Sequence, residues 1–336
     1  MFATCIHAEN TQGIHFNPLT PILVDGMVNG LRDNNKIILE EFPKIYLKKY
    51  YVGCLTGRKN PIVLVKRIGG LGDCIWTLPL IKKFALMGAE VWTLTLGKDI
   101  PLFKNNPYVT KSFGLETFNF KDIEKVDFIF DLFLSVENNA SAEYTDAFDI
   151  PFKWAFNTEA EKELIKGNIF LTDKEIETAK EMLKGNEVLA YCIDSSNPKR
   201  TYPHIKAVIE RLKSVFNGKI MLLGGSTFDY SDDKVLNLTG RMDLRTYFAL
   251  ISLSKAVLCS DSGNLHIASQ FNIPCVGLFS TVKSTERCKY YDNVKAIDSP
   301  EPCAPCLKLG EYCGKNGQCM NAIKIDEIIS AVKGCI

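Results

Sequence analysis

The sequence predicts an α/β protein of two domains, and three observations lead to that prediction. The chain has 336 residues, which is more than one ordinary hydrophobic core holds. From Pro61 onward, short apolar runs alternate with helical patterns, which is typical of parallel sheets covered by helices. The alternation is interrupted at 137–170 and begins again near Asp173, a predicted helix N-cap. The predicted division is a small β-rich element at 1–60, a domain at 61–170 and a domain at 171–336.

In the first domain, strand patterns lie at 62–66, 89–96 and 127–134. A tight turn, Gly-Gly-Leu-Gly-Asp at 69–73, follows the first strand and leads into helical spacing over 74–86. Residues 137–170 are rich in aromatic side chains and are predicted to be irregular. Before this domain, a turn signal at 33–35 precedes short aromatic and β-branched runs, which predicts the β-rich element.

In the second domain, strands are predicted at 188–193 and 219–223, and helices at 204–216, 244–254 and 325–332. Between them, Leu-Asn-Leu at 236–238 precedes Thr-Gly at 239–240. The most informative stretch is 256–280, where an apolar run, a polar turn, a helical pattern and a second apolar run follow one another. This is the strand–helix–strand unit of a parallel sheet. Because free amides at a helix N-terminus hold phosphate, the stretch predicts a phosphate-bearing ligand near Asp261 and His266.

Composition restricts the class of protein. Hydrophobic residues make up 46% and charged residues 24%, as in ordinary soluble globular proteins. The formal net charge of +1 implies no bulk attraction to nucleic acid or to anionic membranes. No apolar run approaches the ~18–20 residues of a membrane span, and the N-terminus lacks the pattern of a signal peptide. We therefore predict a cytoplasmic protein with no transmembrane segment and no nucleic-acid partner.

The turn at 69–73 has two interpretations. It matches neither Gly-x-Gly-x-x-Gly nor a Walker motif, so spacing alone favours a tight connection with Asp73 as a helix cap. In the functional interpretation, Gly70 and Gly72 let a substrate approach the backbone, and Asp73 is available as a general base.

Other candidate residues also have a structural alternative. Ser195, Ser196, Lys199 and Arg200 follow a strand end, where they form either a solvated loop or a phosphate clamp of hydroxyls and cations. A histidine at the position of His266 is more often a structural hydrogen-bonding group, but the neighbouring phosphate-ready turn favours a functional role.

Near the C-terminus, four cysteines form a C-x2-C-x6-C-x5-C pattern in the glycine-rich loop 303–319. They are Cys303, Cys306, Cys313 and Cys319. Four thiolates suit a structural iron or zinc ion, whereas a catalytic metal would need an open coordination position. The alternative is a reduced or partly disulfide-bonded surface loop.

Taken together, these segments resemble glycosyltransferase family 9, the ADP-heptose:lipopolysaccharide heptosyltransferases and their relatives. The resemblance rests on residues 63–73 with Thr-Leu-Pro at 77–79, and on 222–225, 237–240 and 260–268, in the family's order. The cysteine loop and residues 48–52 are similar to the subgroup that glycosylates bacterial autotransporter proteins, in which a comparable cysteine set binds iron.

The resemblance implies a GT-B fold, with two Rossmann-like domains facing across a cleft and the nucleotide-sugar donor mainly on the C-terminal one. It implies inverting sugar transfer without an obligatory metal, to a glycan or protein hydroxyl. Asp73 falls on the general base of the family, and Gly225 and Gly240 fall on loops near the nucleotide. The donor-binding turn of the family corresponds to Asp261, Ser262, Gly263 and His266.

Two departures from the family pattern bear on the donor. Where the family has one lysine before an aromatic residue and a proline, this chain has two adjacent cations at 199–200. After Phe279 the usual Gly-Pro-Thr is replaced by Ser-Thr-Val-Lys, which weakens the assignment of heptose as the transferred sugar. ADP-heptose is nevertheless the first nucleoside-diphosphate sugar expected as donor.

Three other functions compete with sugar transfer. A non-catalytic nucleotide-sugar-binding protein of the same fold is the first, and Asp73 argues against it because a binder needs no carboxylate there. A nicotinamide-dependent oxidoreductase is disfavoured by the absence of Gly-x-Gly-x-x-Gly. A nucleic-acid-binding zinc knuckle is disfavoured by the near-neutral charge. Assembly into a homo-oligomer, mediated by residues 1–60, stays open.

Overall fold

A computed structural model describes residues 60–133, 135, 145–195, 197–240, 242–305 and 318–336, without the side chains of Phe120 and Glu124. The chain divides into two compact units, unit 1 at 1–168 and unit 2 at 169–336. Each unit contains one wholly parallel sheet, which confirms the predicted α/β class. The predicted β-rich element at 1–60 lies outside the described residues, apart from Asn60.

Unit 1 is built on a four-stranded sheet with the strand order β3-β2-β1-β4. Its strands are β1 (Ile62–Lys66), β2 (Glu90–Thr95), β3 (Lys111–Gly114) and β4 (Phe128–Asp131). Its helices are α1 (Leu71–Ile75), α2 (Leu78–Leu86), α3 (Asp149–Phe156) and α4 (Lys162–Ile165), with 3₁₀ segments at Gly97–Phe103, Leu115–Thr117 and Phe120–Lys125. Part of its core is formed by Leu64, Trp92 and Ile129, which pack with Phe118 and Val126.

For unit 1, one prediction needs refinement and another is wrong. The helical spacing predicted over 74–86, with Pro79 early in a helix or at a kink, is divided between α1 and α2, and Pro79 lies in the first turn of α2. Pro79 has no N–H for an intrahelical bond, so it does not continue α1. Residues 137–170 are not irregular throughout, since α3 and α4 lie within them. The aromatic residues of α3 pack into the unit, with the rings of Phe84 and Phe156 5.6 Å apart.

Unit 2 is built on a six-stranded sheet with the order β10-β9-β8-β5-β6-β7. Its strands are β5 (Val188–Cys192), β6 (Lys219–Leu223), β7 (Val235–Asn237), β8 (Ala256–Ser260), β9 (Cys275–Phe279) and β10 (Val294–Asp298). Its helices are α5 (Asp173–Leu183), α6 (Ile205–Val215), α7 (Leu244–Ser252), α8 (Gly263–Gln270), α9 (Thr285–Cys288), α10 (Gln318–Asn321) and α11 (Ile325–Lys333), with a 3₁₀ turn at Pro198–Arg200.

The strand and helix types predicted for this half of the chain are confirmed, with two differences. The N-cap of α5 is Thr172 rather than Asp173, because the Thr172 hydroxyl accepts the Glu175 amide while the Glu175 carboxylate accepts the Thr172 amide. The edge strand β10 was not predicted, since most of its side chains are exposed and it lacks the apolar run of a buried strand.

In each sheet, all strands run parallel, so the loops that follow them meet at one edge. In unit 1 these loops bring together the segments after β1 and β2. In unit 2 they bring together the segments after β5, β6, β8 and β9. Within the described ranges, none of the helices has the length and apolarity that a bilayer crossing needs.

Candidate active site

Asp73 lies in the turn after β1, on the first turn of α1. Its Oδ2 accepts a hydrogen bond from the Gly70 amide at 2.6 Å, and Gly70 is the extended residue that precedes the helix. The preceding residue must be small, because a Cβ on Gly69 would come 2.6 Å from Asp73 Oδ2. The glycines at 69–70 therefore allow the backbone to close around the carboxylate.

Arg67 holds the other oxygen of this carboxylate. Its Nη2 donates to Asp73 Oδ1 at 2.9 Å, and its Nη1 donates to the Leu132 carbonyl at 2.6 Å. The arginine is 4% exposed, whereas the Asp73 side chain is 21% exposed. A carboxylate offers about four lone-pair sites, so Asp73 can be fixed in orientation and still accept a hydrogen bond from a hydroxyl. Sequence reasoning did not predict the part played by Arg67.

A second acidic group, Asp99, lies at the same edge, in the 3₁₀ segment after β2. It is 4% exposed, and its Oδ2 has no hydrogen-bond partner among the described residues. Burial raises the pKa of Asp99 to about 6, with Lys98 opposing the shift and Asp73 and Glu116 adding to it. Sequence reasoning also missed Asp99, because only the three-dimensional fold brings these carboxyl groups to one edge.

Next to Asp73, the thiol of Cys74 is not a nucleophile. Its Sγ is 3.1 Å from Thr95 Oγ1, and burial raises the pKa of the thiol to about 12. The thiol therefore stays protonated at neutral pH. This leaves the carboxyl groups of Asp73 and Asp99 as the candidates for proton transfer in this part of unit 1.

In unit 2, Arg200 binds the predicted donor turn after β8. Its Nη1 donates at 3.0 Å both to the carbonyl oxygen and to Oδ2 of Asp261, which is buried. Arg200 Nε is also buried and has no partner among the described residues. The structure therefore brings together two residues that are 61 positions apart in the sequence, both of them predicted site residues.

The same turn leads into α8, whose first turn has no side-chain cap. Ser262 is the N-cap residue, but its hydroxyl donates back to the Ser260 carbonyl at 3.1 Å. The Ser262 side chain therefore does not cap the amides at the start of the helix. Such amides favour an anion, both through hydrogen bonds and through the helix dipole.

His266 lies one turn further along α8 and is 1% exposed. Its Nδ1 is 3.0 Å from the Tyr291 hydroxyl. Burial, with the charge of Arg287, lowers the pKa of His266 to about 3. The imidazole is therefore neutral at physiological pH and contributes hydrogen bonds rather than a positive charge.

The predicted nucleotide loops lie together after β6 and β7. The Gly240 amide donates to the Gly224 carbonyl at 2.8 Å, and Gly240 has φ of +68°. A Cβ on Gly240 would come 2.7 Å from Thr227 Oγ1, so only glycine fits there without displacement. Gly225 is the next residue of the first loop.

Asp194 follows β5 and lies at the same loop, where its carboxylate accepts the Ser226 amide at 3.1 Å. A carboxylate accepts hydrogen bonds from hydroxyl groups, whereas it would repel a phosphate.

The remaining predicted residues are only partly described. Ser195 is half-buried, and its Oγ accepts the Asn197 amide at 3.4 Å, while Ser196 lies outside the described residues. Among the four cysteines, Cys303 is half-buried and Cys319 is buried, while Cys306 and Cys313 are not described. The described ranges contain no group of three His, Cys, Asp or Glu placed to hold a metal ion, and the metal site stays a prediction.

Comparison with known proteins finds a family model that covers part of the chain. The family model described as glycosyltransferase family 9 (heptosyltransferase) matches residues 151–315. The resemblance to that family is confirmed. The curated lipooligosaccharide heptosyltransferase 2 of Campylobacter jejuni is 28% identical over 102 residues, which are 30% of this chain and 32% of that protein. The chain thus matches about a third of the length of this relative.

Solved structures share the fold. The glycosyl transferase family 9 protein from Veillonella parvula has a TM-score of 0.66 at 14% identity, covering 82% of this chain and 97% of its own. The iron-containing dodecameric glycosyltransferase TibC from enterotoxigenic Escherichia coli has a TM-score of 0.64 at 12% identity, with coverages of 83% and 76%. The predicted GT-B class is confirmed by these neighbours.

Proposed function

We propose that this family 9-like chain is a glycosyltransferase that moves a sugar from a nucleoside-diphosphate sugar to an acceptor hydroxyl. The observation that carries the proposal is the Asp73 carboxylate, which Arg67 and the Gly70 amide hold in place while part of it stays exposed. A carboxylate of this kind can take a proton from a hydroxyl. A protein that only bound the donor would need no such group.

In the proposed reaction, the acceptor oxygen forms a bond to the anomeric carbon as the bond from that carbon to the diphosphate breaks. Asp73 takes the proton of the acceptor hydroxyl, and the nucleoside diphosphate leaves with the electron pair. Attack on the face opposite the leaving group inverts the anomeric configuration. Arg67 keeps the carboxylate oriented, which reduces the reorganisation needed during proton transfer.

Unit 2 is proposed to bind the donor. The amides at the start of α8 and the cations at 199–200 would offset the charge that grows on the leaving diphosphate. Because Arg200 already donates to Asp261, it fixes the turn as well as adding charge. The loops at Gly225 and Gly240, with Asp194 between the strand ends, suit the nucleoside.

ADP-heptose is the donor to test first. The name of the Campylobacter relative describes a heptosyltransferase, and TibC has been solved in complex with ADP-D-beta-D-heptose. The acceptor is proposed to be a glycan or protein hydroxyl. Cytoplasmic location stays a prediction.

The cysteine set is proposed to hold a structural iron or zinc ion. TibC is iron-containing and dodecameric, which supports both a metal and a homo-oligomer for this chain. Of the two described members, Cys303 is half-buried and Cys319 is buried. The ion would tie the loop together and takes no part in the reaction.

Asp73→Asn is the test of this function. Because the amide cannot accept a proton, we expect turnover to fall by about 100-fold or more, with ADP binding unchanged. Release of ADP from ADP-heptose, with and without candidate acceptors, measures turnover, and calorimetry with ADP measures binding.

The control is Asp122→Asn, another carboxylate of unit 1, which pairs with Lys125 at 2.7 Å on the surface. This variant should match the wild type. Full turnover by Asp73→Asn would contradict the assignment of the base. Tight binding of ADP-heptose by the wild type, with no ADP release under any condition, would indicate the non-catalytic binding protein instead.

A further inference from the structure

Two consecutive hydroxyl side chains directly after β9 are buried without a hydrogen-bond partner. Ser280 is 2% exposed and Thr281 is 1% exposed. Among the described residues, neither Ser280 Oγ nor Thr281 Oγ1 has a partner. Burial of a hydroxyl without a partner opposes folding, and native structures contain few such groups. Two in succession therefore need an explanation other than packing.

Their position is the carboxyl edge of the unit 2 sheet, next to the donor turn. β9 pairs in parallel with β8, with Leu278 opposite Ser260, and the Asp261 amide donates to the Leu278 carbonyl at 2.9 Å. The two segments therefore leave the sheet at the same edge, where parallel α/β sheets bind ligands.

The chemistry around this position favours an anion. The adjacent α8 presents uncapped amides at its N-terminus, and Arg200, from the 3₁₀ turn after β5, pairs with Asp261 of the turn that precedes α8. Hydroxyl groups donate to phosphate oxygens with favourable, charge-assisted geometry. We propose that Ser280 and Thr281 bind the diphosphate of a nucleoside-diphosphate ligand, as an extension of the donor site.

This inference rests on the proposed donor site. It predicts the effect of removing each hydroxyl on two quantities, the affinity for the ligand and the stability of the ligand-free protein. If the hydroxyls serve the ligand, their removal weakens ligand binding without destabilising the ligand-free protein, because each loses no hydrogen bond within the protein. If they serve the fold, their removal lowers the melting temperature instead. Ser280→Ala and Thr281→Val each remove one hydroxyl, and the second keeps the side-chain shape.

Calorimetry with ADP and with ADP-heptose, and melting of the ligand-free protein, together give the test. For each variant we expect the Kd for ADP to rise about tenfold or more, with the same rise for ADP-heptose. The melting temperature without ligand should be unchanged or higher. Ser254→Ala is the control, since its buried Oγ donates to the Leu250 carbonyl at 2.9 Å. It should lower the melting temperature and leave the Kd for ADP unchanged.

Three results would overturn the proposal. An unchanged Kd for ADP in both variants would remove the two hydroxyls from the ligand site while leaving the proposed function intact. Weaker binding of ADP-heptose alone would assign them to the sugar rather than the diphosphate. If the wild type bound neither ADP nor ADP-heptose, this inference and the proposed donor site would fall together.

Discussion

At the scale of single residues, the candidate site depends on charged groups that the fold keeps away from water. Arg67 is buried between Asp73 and the Leu132 carbonyl, and beside it Lys66 pairs with Asp131 at 2.6 Å. A buried charge is tolerated when it is paired and hydrogen-bonded. These pairs join the ends of β1 and β4, so the orientation of Asp73 depends on the sheet as a whole.

Asp99 provides the residue-scale prediction, because burial raises its pKa to about 6 from the usual 3.8. An acid with a raised folded-state pKa ionises more readily when unfolded, so its ionisation lowers stability above the unfolded pKa. This loss is absent near pH 3, grows between about pH 4 and pH 6, and is constant above. Asp99→Asn cannot ionise, so we expect it to be more stable than the wild type by about 2 kcal/mol at pH 8 and by much less at pH 4.

Urea unfolding across this pH range measures the difference. Lys98, Asp73 and Glu116 are the charged groups that act on Asp99, and the substitution leaves all three in place. Asp122→Asn, whose carboxylate is paired on the surface, serves as the control and should not remove the pH dependence. Equal pH dependence in wild type and Asp99→Asn would show that Asp99 does not titrate near pH 6.

At the scale of secondary-structure elements, α5 shows how a local sequence signal is joined to a distant contact. Thr172 and Glu175 form a reciprocal capping pair at its N-terminus, and Glu175 also accepts two hydrogen bonds from Arg245 of α7. The contact with Arg245 is the largest cause that lowers the pKa of Glu175 to about 2. The cap therefore fixes both the start of α5 and its packing against α7.

Thr172→Ala should lower the free energy of unfolding by about 1 kcal/mol, because it leaves a backbone amide of the first turn without its acceptor. The control lies on the same helix. Thr178 Oγ1 donates to the Lys174 carbonyl of the same helix and caps no helix end, so Thr178→Ala should change stability by less than about 0.5 kcal/mol. Chemical unfolding of both variants gives the comparison, and equal effects would mean that the cap contributes no specific stability.

The elements also show what the sequence could predict. Strands buried on both faces, such as β1, β5 and β6, are apolar runs, and their limits were predicted within a residue or two. The edge strands β3 and β10 have exposed side chains and were missed, since their place depends on a neighbouring strand. Helix α3 was missed because its many aromatic residues and Pro151 conceal the helical period.

In the candidate site, too, local patterns were predicted and contacts between distant segments were missed. Asp73 and Asp261 belong to local strand–turn–helix patterns, so the sequence predicted where they lie. Arg67 donates to residues 6 and 65 positions away in the sequence. The charge of Asp73 acts on Asp99 because the fold brings two separate segments to one edge of the sheet. The hydroxyls after β9 were missed because their burial depends on the packing around them. Contacts of this kind follow from the arrangement of strands in the sheet, which no short motif encodes.

At the scale of the whole molecule, the resemblance to family 9 rests on different observations in the two units. The family model spans 151–315 and so lies mainly on unit 2, where the donor turn is. In unit 1 the resemblance rests on the motif at 63–79 and on the shared fold. The comparisons with known sequences therefore bear more directly on unit 2 than on unit 1.

All four cysteines of the predicted metal site belong to unit 2. Removal of the ion should therefore affect the stability of the two units differently. Cys303 follows β10, and the buried Cys319 begins the C-terminal helices, whose residues Ile328 and Val332 lie in the unit 2 core. An ion joining the two would stabilise the docking of these helices, because metal binding to the folded state adds to stability. We expect a chelator to lower the melting temperature of unit 2 by several degrees and to leave unit 1 unchanged, so that one thermal transition becomes two.

Elemental analysis decides whether this effect comes from the cysteine set. Wild type should carry iron or zinc at about one ion per chain, as expected for a single four-thiolate site, and Cys303→Ser should lose it. Cys335→Ser is the matched control, since Cys335 is also half-buried in unit 2 but stands outside the set. It should keep both the metal and the single transition. A metal-free wild type whose melting is insensitive to chelator would leave the C-terminal helices held by their core contacts alone, and the loop 303–319 would then be a reduced or disulfide-bonded loop.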